Sequence, residues 1–158
     1  MTPVATMDVI SVVRVHLGAT VLGLPASAVE EMVRAVAITP LADAPPIIEG
    51  VIDVRGTVVA VLDLRLRLGL PSRVLDPTQF LVLLRAGSRT MAVRVDEVDD
   101  VVELDRAAIR PGAGLSPALE HVAGVGVTAD GVIVIHDPDT FITAAEDAAL
   151  DSLLATRQ

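Results

Sequence analysis

The chain has 158 residues, of which 52% are hydrophobic, 21% are charged and 1% are aromatic. Its formal net charge is −9 at pH 7, and it contains neither Cys nor Lys. The lack of Cys excludes thiol catalysis and Cys-ligated metal sites, while the negative charge and the scarcity of aromatic rings argue against nucleic-acid binding. The apolar residues must therefore be buried in a core or offered to another protein.

The N-terminal residues contain neither a basic segment nor a long apolar run, so we expect no secretion signal. The longest apolar runs, residues 58–62 and 80–84, are far shorter than the roughly 20 residues that cross a bilayer as a helix. We therefore expect a cytoplasmic protein with no direct membrane insertion.

Short runs rich in Val and Ile favour β-strands, because β-branched side chains suit a pleated surface. Glycine-containing turns such as Arg55-Gly56 separate many of these runs, as in hairpins. The pattern predicts ten strands: residues 9–15, 20–24, 35–39, 50–54, 58–62, 80–84, 90–95, 101–104, 124–128 and 132–136. So many short strands indicate a barrel or a sandwich, and the fold class is mostly β.

Few helices are expected. Residues 27–30 have capping-box spacing and predict one short turn, and residues 63–68 predict a short helix that follows its strand. The clearest helical pattern is C-terminal, over residues 138–155, where apolar residues recur at intervals of three and four. Such an interval gives a helix one apolar face to pack on the body of the protein.

The second half of the chain resembles the first. Gly50 corresponds to Gly124 and Asp63 to Asp137, in both cases 74 residues apart. A repeat of this length indicates two similar small barrels rather than a solenoid, whose repeats are about 20–50 residues long. We predict one domain with sub-barrels over residues 8–70 and 78–142, which share a core because each would be marginal alone.

The sequence offers no catalytic constellation. The three His residues are far apart and form no zinc-binding pattern, and no serine stands in a G-x-S-x-G context. Asp53 and Asp63 flank one hairpin and could form an acid–base pair, but Asp63 and Asp137 are better explained as N-caps of short helices. We predict no catalytic residue, no metal site and no cofactor.

One segment carries most of the functional information. Residues 49–70 are EGVIDVRGTVVAVLDLRLRLGL, which closely resembles the signature of CheW-like domains, roughly x-G-V-x-N-L-R-G-x-V-x-P-V-x-D-L-R-x-x-L-G. Residues 94–98, RVDEV, are similar to the family's V-D-x-V segment, and residues 109–111, IRP, to its I-x-P. The similarity extends from about residue 9 to residue 142.

The resemblance implies a CheW-like fold of two packed five-stranded SH3-like β-barrels with a C-terminal helix. It also implies a free-standing, non-catalytic adaptor that couples methyl-accepting chemoreceptors to a CheA-type histidine kinase. The expected partners are the regulatory domain of that kinase and the cytoplasmic tip of the receptors. The adaptor would be recruited from the cytoplasm to membrane-attached receptor arrays.

The family's site residues can be placed on this sequence one by one. Arg55 corresponds to the Arg of N-L-R-G, which is implicated in coupling, and Val29 and Glu31 correspond to a V-x-E that precedes the third strand. With the neighbouring Asp53 and Gly56 they are the expected partner-binding residues. Five further motif residues are expected to have structural roles: Gly50, Asp63, Asp96, Gly124 and Asp137.

Some interpretations stay open at this stage. Arg55 could instead stabilise its own barrel through a carboxylate such as Asp63. Asp53 replaces the family's usual Asn, and His136 interrupts the second L-D-L, so the identity of the partners is open. Alternatives are a divergent coupling protein of a non-flagellar pathway and a small-ligand-binding or hydrolytic domain, which would enclose Asp53, Arg55 and Asp63 in a polar pocket.

Overall fold

The computed structural model describes residues 8–111, 121–128 and 131–155. In these ranges the chain forms eleven strands and two α-helices. The strands are β1 (Val9–Leu17), β2 (Thr20–Pro25), β3 (Val29–Arg34), β4 (Ile48–Val54), β5 (Thr57–Leu62), β6 (Phe80–Ala86), β7 (Arg89–Val95), β8 (Glu97–Asp105), β9 (Arg110–Pro111), β10 (Val122–Thr128) and β11 (Gly131–His136). The helices are α1 (Leu64–Leu68) and α2 (Ala144–Ala155), and three-residue 3-10 turns cover Ala26–Ala28, Arg106–Ala108 and Pro138–Thr140.

The strands form two sheets. The first sheet has the order β8-β1-β2-β11-β10-β9, in which β9 is only two residues long, and the second has the order β3-β6-β7-β5-β4. Apart from β9 the sheets have the same arrangement of five strands. Each contains one parallel pairing, β2 with β11 and β5 with β7, among antiparallel ones. The predicted mostly β fold class, with two five-stranded units and a C-terminal helix, is confirmed.

Alternating side chains give each sheet two apolar faces, as the twofold period of a strand requires. On β6, Leu81 and Leu83 face an apolar cluster confined to the second sheet, whereas Val82 and Leu84 face a layer shared by both sheets. The first sheet has an equivalent interior cluster of Val12, Leu104, Ile133 and Ile135. The shared layer also receives Phe141, Ile142 and Leu150 from the C-terminal segment. The molecule thus has two separate interiors and one common core.

The repeat seen in the sequence appears in the strand register. Ile48 pairs with Leu62 across β4–β5, and Val122 pairs with His136 across β10–β11, the equivalent positions. Both hairpins have a bulge immediately afterwards, before Gly50 and before Gly124. The internal similarity is therefore a repeat of backbone geometry as well as of residue type.

The sheets do not coincide with the two halves of the sequence. The first sheet combines β1 and β2 with β8, β10 and β11, and the second combines β3, β4 and β5 with β6 and β7. Residues 8–70 and 78–142 thus mark the sequence repeat rather than the strand content of either sheet. Each half contributes to both sheets, so the apolar faces of both halves are buried together.

Two predicted elements differ from the structure. The strand predicted at residues 35–39 is wrong, because the chain pairs with β6 earlier, over Val29–Arg34, and then leaves the sheet, returning only for a bridge between Thr39 and Val51. Ala35 and Ile38 still pack against the interior of the second sheet. Their apolar character reflects burial without strand pairing.

The C-terminal helix begins later than the predicted residue 138. The 3-10 turn Pro138–Thr140 is followed by Phe141 and Ile142, which are buried in the shared core. Thr143 then caps α2, since its Oγ1 accepts from the Glu146 N–H at 3.1 Å while the Glu146 carboxylate accepts from the Thr143 N–H at 2.8 Å. This reciprocal arrangement is a capping box, and it sets the start of the helix at Ala144.

Candidate functional site

The expected partner-binding residues centre on the β4–β5 hairpin. Its two-residue turn, Arg55-Gly56, has φ values of 49° and 86°. Positive φ at both central residues is the geometry of a type I′ turn, which matches the twist of the adjoining strands. Asp53 Oδ1 accepts a hydrogen bond from the Gly56 N–H at 2.8 Å and closes the turn. An Asn side chain has an equivalent oxygen, so replacement of the family's Asn by Asp53 preserves this contact.

The turn presents Arg55 to Glu31 on β3. The guanidinium makes two hydrogen bonds to the carboxylate, Nη1 to Oε1 at 2.7 Å and Nη2 to Oε2 at 2.5 Å. The Arg55 side chain is 73% exposed and that of Glu31 is 31% exposed. The hydrogen bonds from Arg55 lower the pKa of Glu31, so the pair is ionised around neutral pH. Two residues assigned separately to partner binding are thus joined in a bidentate pair on the surface.

Val29 has a different environment from the ion pair. It lies at the start of β3, separated from Glu31 by a bulge, and it packs partly against the shared core. Glu30, between them, accepts a hydrogen bond from Thr90 Oγ1 at 3.0 Å. The structure therefore brings together Glu31, Asp53, Arg55 and Gly56, and places Val29 farther along the same strand.

The carboxylates at the other end of each hairpin have local backbone contacts. Asp63 Oδ1 accepts from the Leu66 N–H at 3.1 Å at the start of α1, and Asp137 Oδ1 accepts from the Asp139 N–H at 3.0 Å at the 3-10 turn. Both are N-cap contacts. Asp53 and Asp63 therefore serve separate backbone groups, and this geometry gives no support to an acid–base pair or to Asp63 as the partner of Arg55.

Gly50 and Gly124 occupy equivalent close crossings of the backbone. A Cβ atom on Gly50 would lie 2.2 Å from the carbonyl oxygen of Thr39, and one on Gly124 would lie 2.6 Å from Ile109 Cγ2 and 3.1 Å from the carbonyl oxygen of Arg110. No side chain fits at Gly50 without moving a backbone atom. These glycines are required by close approach of two chain segments.

Asp96 is the centre of a polar cluster that sequence inspection did not find. Its carboxylate accepts hydrogen bonds from Arg65 at 2.7 and 3.2 Å, from Gln79 Nε2 at 2.9 Å and from the Gly18 N–H at 2.5 Å, and Arg73 Nη1 lies 2.6 Å from it. Burial alone would raise the pKa of Asp96, but the donors from Arg65, Gln79 and Gly18 hold it well below its ordinary value. The carboxylate is therefore charged at neutral pH.

Arg94 extends this cluster towards β4. Its guanidinium donates to Glu49 at 2.5 and 3.2 Å and to Gln79 Oε1 at 2.9 Å, and Gln79 is fully buried. The sequence contained one sign of this cluster, because Arg94 is a charged residue inside an apolar run, between Val93 and Val95. Its partners could not be inferred, since they come from other elements.

His136 is buried beside the 3-10 turn. Burial, together with the nearby His121, lowers its pKa, against a hydrogen bond to the Val134 carbonyl that acts in the opposite direction. The residue is therefore neutral at physiological pH. This supports a structural role for the His that interrupts the family's second L-D-L segment.

Two general findings bear on the class of function. In the described part of the chain, no group of three or more His, Asp or Glu side chains is placed to hold a metal ion. Among the same residues, no helix combines the length and the apolar character needed to cross a bilayer.

Comparisons with known proteins agree with the fold and with the hairpin signature. The family model for the CheW-like domain matches residues 11–146. The chain is 28% identical to the chemotaxis protein CheW of Klebsiella aerogenes over 118 residues, covering 73% of this chain and 71% of that protein. It is 29% identical to the chemotaxis protein CheW of Rhizobium meliloti over 91 residues, covering 58% and 59% of the two chains.

A solved structure gives the same result in three dimensions. The scaffolding protein TtCheW from Thermoanaerobacter tengcongensis superposes with a TM-score of 0.75 at 27% identity, over 82% of this chain and 90% of that one. The names of these relatives describe chemotaxis and scaffolding, and none of them names an enzymatic activity. By its matched length, its repeated sheets and its hairpin signature, this chain belongs to the CheW-like domain family.

Proposed function

We propose that this protein is a non-catalytic scaffold that couples chemoreceptors to a CheA-type histidine kinase. Membership in the CheW-like family supports this role, as do the names of the relatives, which describe chemotaxis and scaffolding. The observation that carries the proposal is the Arg55–Glu31 pair, presented on an exposed hairpin in the segment that bears the family signature.

The Arg55–Glu31 pair is suited to recognition of a partner. Exposed ion pairs contribute little to folding, so the 73% exposed Arg55 is more useful at an interface than in the fold. The type I′ turn fixes the backbone that carries Arg55, and a guanidinium offers planar, directional hydrogen-bond donors. Half-exposed apolar side chains on the adjoining strands, Met32 on β3 and Val58 on β5, can supply the buried part of such an interface.

The proposed localisation follows from these partners. A scaffold that contacts receptor tips would be recruited to membrane-attached arrays through protein contacts. Modest affinities suffice there, because neighbouring contacts in an array raise the effective concentration.

The test is co-purification with the CheA-type kinase encoded in the same genome and with the cytoplasmic tip of a receptor. We expect the wild-type protein to bind both and Arg55→Ala to weaken kinase or receptor binding more than tenfold with the fold intact. Arg106→Ala is the matched control, because Arg106 is 57% exposed and pairs with the exposed Asp8 next to the first sheet. Equal binding by Arg55→Ala would remove Arg55 from the site, and a wild-type protein that binds neither partner would overturn the proposed function.

A charge swap separates recognition from local structure. The double variant Glu31→Arg with Arg55→Glu restores an ion pair within the chain but reverses the charges that a partner meets. If the partner contacts this pair, the swap does not rescue binding. Rescue to the wild-type level would show that the pair only positions the hairpin.

A further inference from the structure

The C-terminal helix α2 is attached to the body of the protein through few apolar side chains. Five of its twelve residues are Ala, and within Ala144–Ala155, all of which the structure describes, Leu150 alone is buried. Leu154, one turn later, packs only partly against the shared core. Helices on the surface of globular proteins usually bury a whole apolar stripe. Burial of apolar area therefore accounts for only part of the docking of α2.

Charge supplies much of the remaining attachment. α2 contains three carboxylates and no basic residue, and each carboxylate meets an arginine of the body. Both carboxylate oxygens of Glu146 accept from Arg67 Nη2, at 2.5 and 2.6 Å. Asp147 Oδ1 accepts from Arg89 Nε at 2.8 Å, and Asp151 accepts from Nη2 of the same arginine. The helix is thus bound by opposite charges in its first and second turns.

The two arginines come from separate elements. Arg67 lies on α1, where its side chain is 19% exposed, and Arg89 begins β7, where its side chain is 16% exposed. Ion pairs that are partly withdrawn from solvent are screened less than pairs on the open surface. These ion pairs therefore contribute more to the position of α2 than surface pairs would.

The docked state of α2 leaves one polar group unsatisfied. Among the described residues, Arg67 Nε is a buried donor without an acceptor. Such a donor costs free energy, because it has lost water and gained no hydrogen bond. Glu146 of α2 covers the same guanidinium, so withdrawal of the helix would let water reach it. This penalty makes the docked state less favourable relative to an open one.

The chain that precedes α2 is held independently of the helix. The Gly87 N–H, in the β6–β7 turn, donates to Asp139 Oδ1 at 2.8 Å. Phe141 and Ile142 are buried in the shared core. Thr143, between these residues and the helix, is exposed. The helix can therefore pivot at Thr143 while the preceding segment stays in place.

We propose that α2 is a latch, closed by its ion pairs with Arg67 and Arg89, that opens about Thr143 while both sheets stay folded. Opening exposes the two guanidinium groups and the position that Leu150 occupies in the shared core. The latch thereby controls access to an apolar surface that carries two cations and does not include the Arg55–Glu31 pair.

Native-state hydrogen exchange of the 15N-labelled full chain at increasing urea measures the opening. We expect the amides of Asp147 and Leu150 to have protection factors at least tenfold lower than those of Val82 and Val93 in the second sheet. Their protection should also depend less on urea, because a local opening exposes little surface. Equal protection and equal urea dependence of all four amides would overturn the proposal, since α2 would then leave only when the whole protein unfolds.

A charge variant tests what closes the latch. Arg89→Gln removes the partner of both Asp147 and Asp151, so it should lower the protection of the α2 amides at least tenfold. Arg85→Gln is the matched control, because Arg85 is exposed and forms its ion pair with Glu30 on β3 rather than with α2, and it should leave α2 unchanged. Unchanged protection of α2 in Arg89→Gln would show that charge does not close the latch.

A thiol probe separates departure of the helix from fraying of its hydrogen bonds. The chain has no Cys, so Leu150→Cys carries a single thiol on α2, and Val93→Cys carries a single thiol on β7 in the same core. With neutral dithiodipyridine we expect the thiol of Leu150→Cys to react at least tenfold faster than that of Val93→Cys. Equal reaction rates would contradict the latch, because Leu150 would then stay in the core while the helix frays.

The exchange measurements on the unmodified chain decide the matter if either Cys variant does not fold. Kinase or receptor binding enters none of these experiments, so failure of the proposed function would leave their outcome unaffected.

Discussion

At Asp96 a single carboxylate joins three separate parts of the chain. It receives donors from the β1–β2 turn, from α1 and from the segment before β6, through Gly18, Arg65 and Gln79. Its side chain is 12% exposed, so these charges interact with little screening by solvent. The exposed Arg55 is the opposite case, an ion pair that the fold can lose and that a partner can use.

The pH dependence of stability should report on Asp96. Its pKa is depressed in the folded state, so its contribution is present above the ordinary Asp pKa of about 3.9 and is lost as the pH falls below that value. Asp96→Asn should destabilise the protein by about 3 kcal/mol at pH 7, because the buried guanidinium of Arg65 loses its counter-charge. The difference from the wild type should become smaller at pH 3.

Urea unfolding followed by far-UV circular dichroism at pH 7 and pH 3 measures both quantities. A difference between the two proteins that is the same at both pH values would contradict the assignment of this acid sensitivity to Asp96.

At the scale of elements, the hairpins β4–β5 and β10–β11 are the same structure built twice. Each has a bulge before a glycine, and each glycine lies under a crossing segment, at Thr39 in one case and at Ile109-Arg110 in the other. The two crossings differ in what a new Cβ would meet first. At Gly50 it is a backbone oxygen, whereas at Gly124 it is the γ2 methyl group of Ile109.

This difference predicts unequal costs for the same substitution. Gly50→Ala should destabilise the protein by about 1–3 kcal/mol, the usual range for forced overpacking, because the Thr39 backbone must move. Gly124→Ala should cost less, because Ile109 can change rotamer. Urea unfolding of the two variants measures both losses of stability. A larger loss of stability for Gly124→Ala than for Gly50→Ala would contradict the prediction, because it would show that the Thr39 backbone moves more readily than the Ile109 side chain.

At the scale of the whole molecule, each half of the sequence contributes strands to both sheets, and the two halves share one core. The layer between the sheets contains Val13, Val15 and Leu17 from β1 and Val82 and Leu84 from β6. The C-terminal segment closes it with Phe141 and Leu150, and Arg67 and Arg89 tie α2 to the body through Glu146 and Asp147. Neither half has a complete sheet or a complete core of its own.

The protein should therefore unfold as one cooperative unit. In urea, far-UV circular dichroism and the NMR methyl signals of the two sheet interiors should follow a single coincident transition. A fragment of residues 8–70 should fail to fold alone, because β1 and β2 would lack β8 and β11. Two separate transitions, or a cooperatively folded fragment, would show that the halves are independent.

The sequence alone determined the mostly β class, the 74-residue repeat, nearly all the strands and the family signature around Arg55. These are local properties, because β-branched residues, turn glycines and N-cap carboxylates act on neighbouring backbone. It also singled out Glu31 and Arg55 as expected partner-binding residues and Asp96 as an expected structural position.

Only the tertiary structure decided which partners these residues have and how the strands are shared. The pairing of Arg55 with Glu31 spans 24 residues, and that of Arg65 with Asp96 spans 31. The distribution of strands from each half over the two sheets depends on which apolar faces can be buried together. The apolar periodicity within one strand carries no information about which strand lies beside it. For the same reason residues 35–39 have the composition of a strand, although in the structure only Ala35 and Ile38 of this segment pack against the interior of the second sheet.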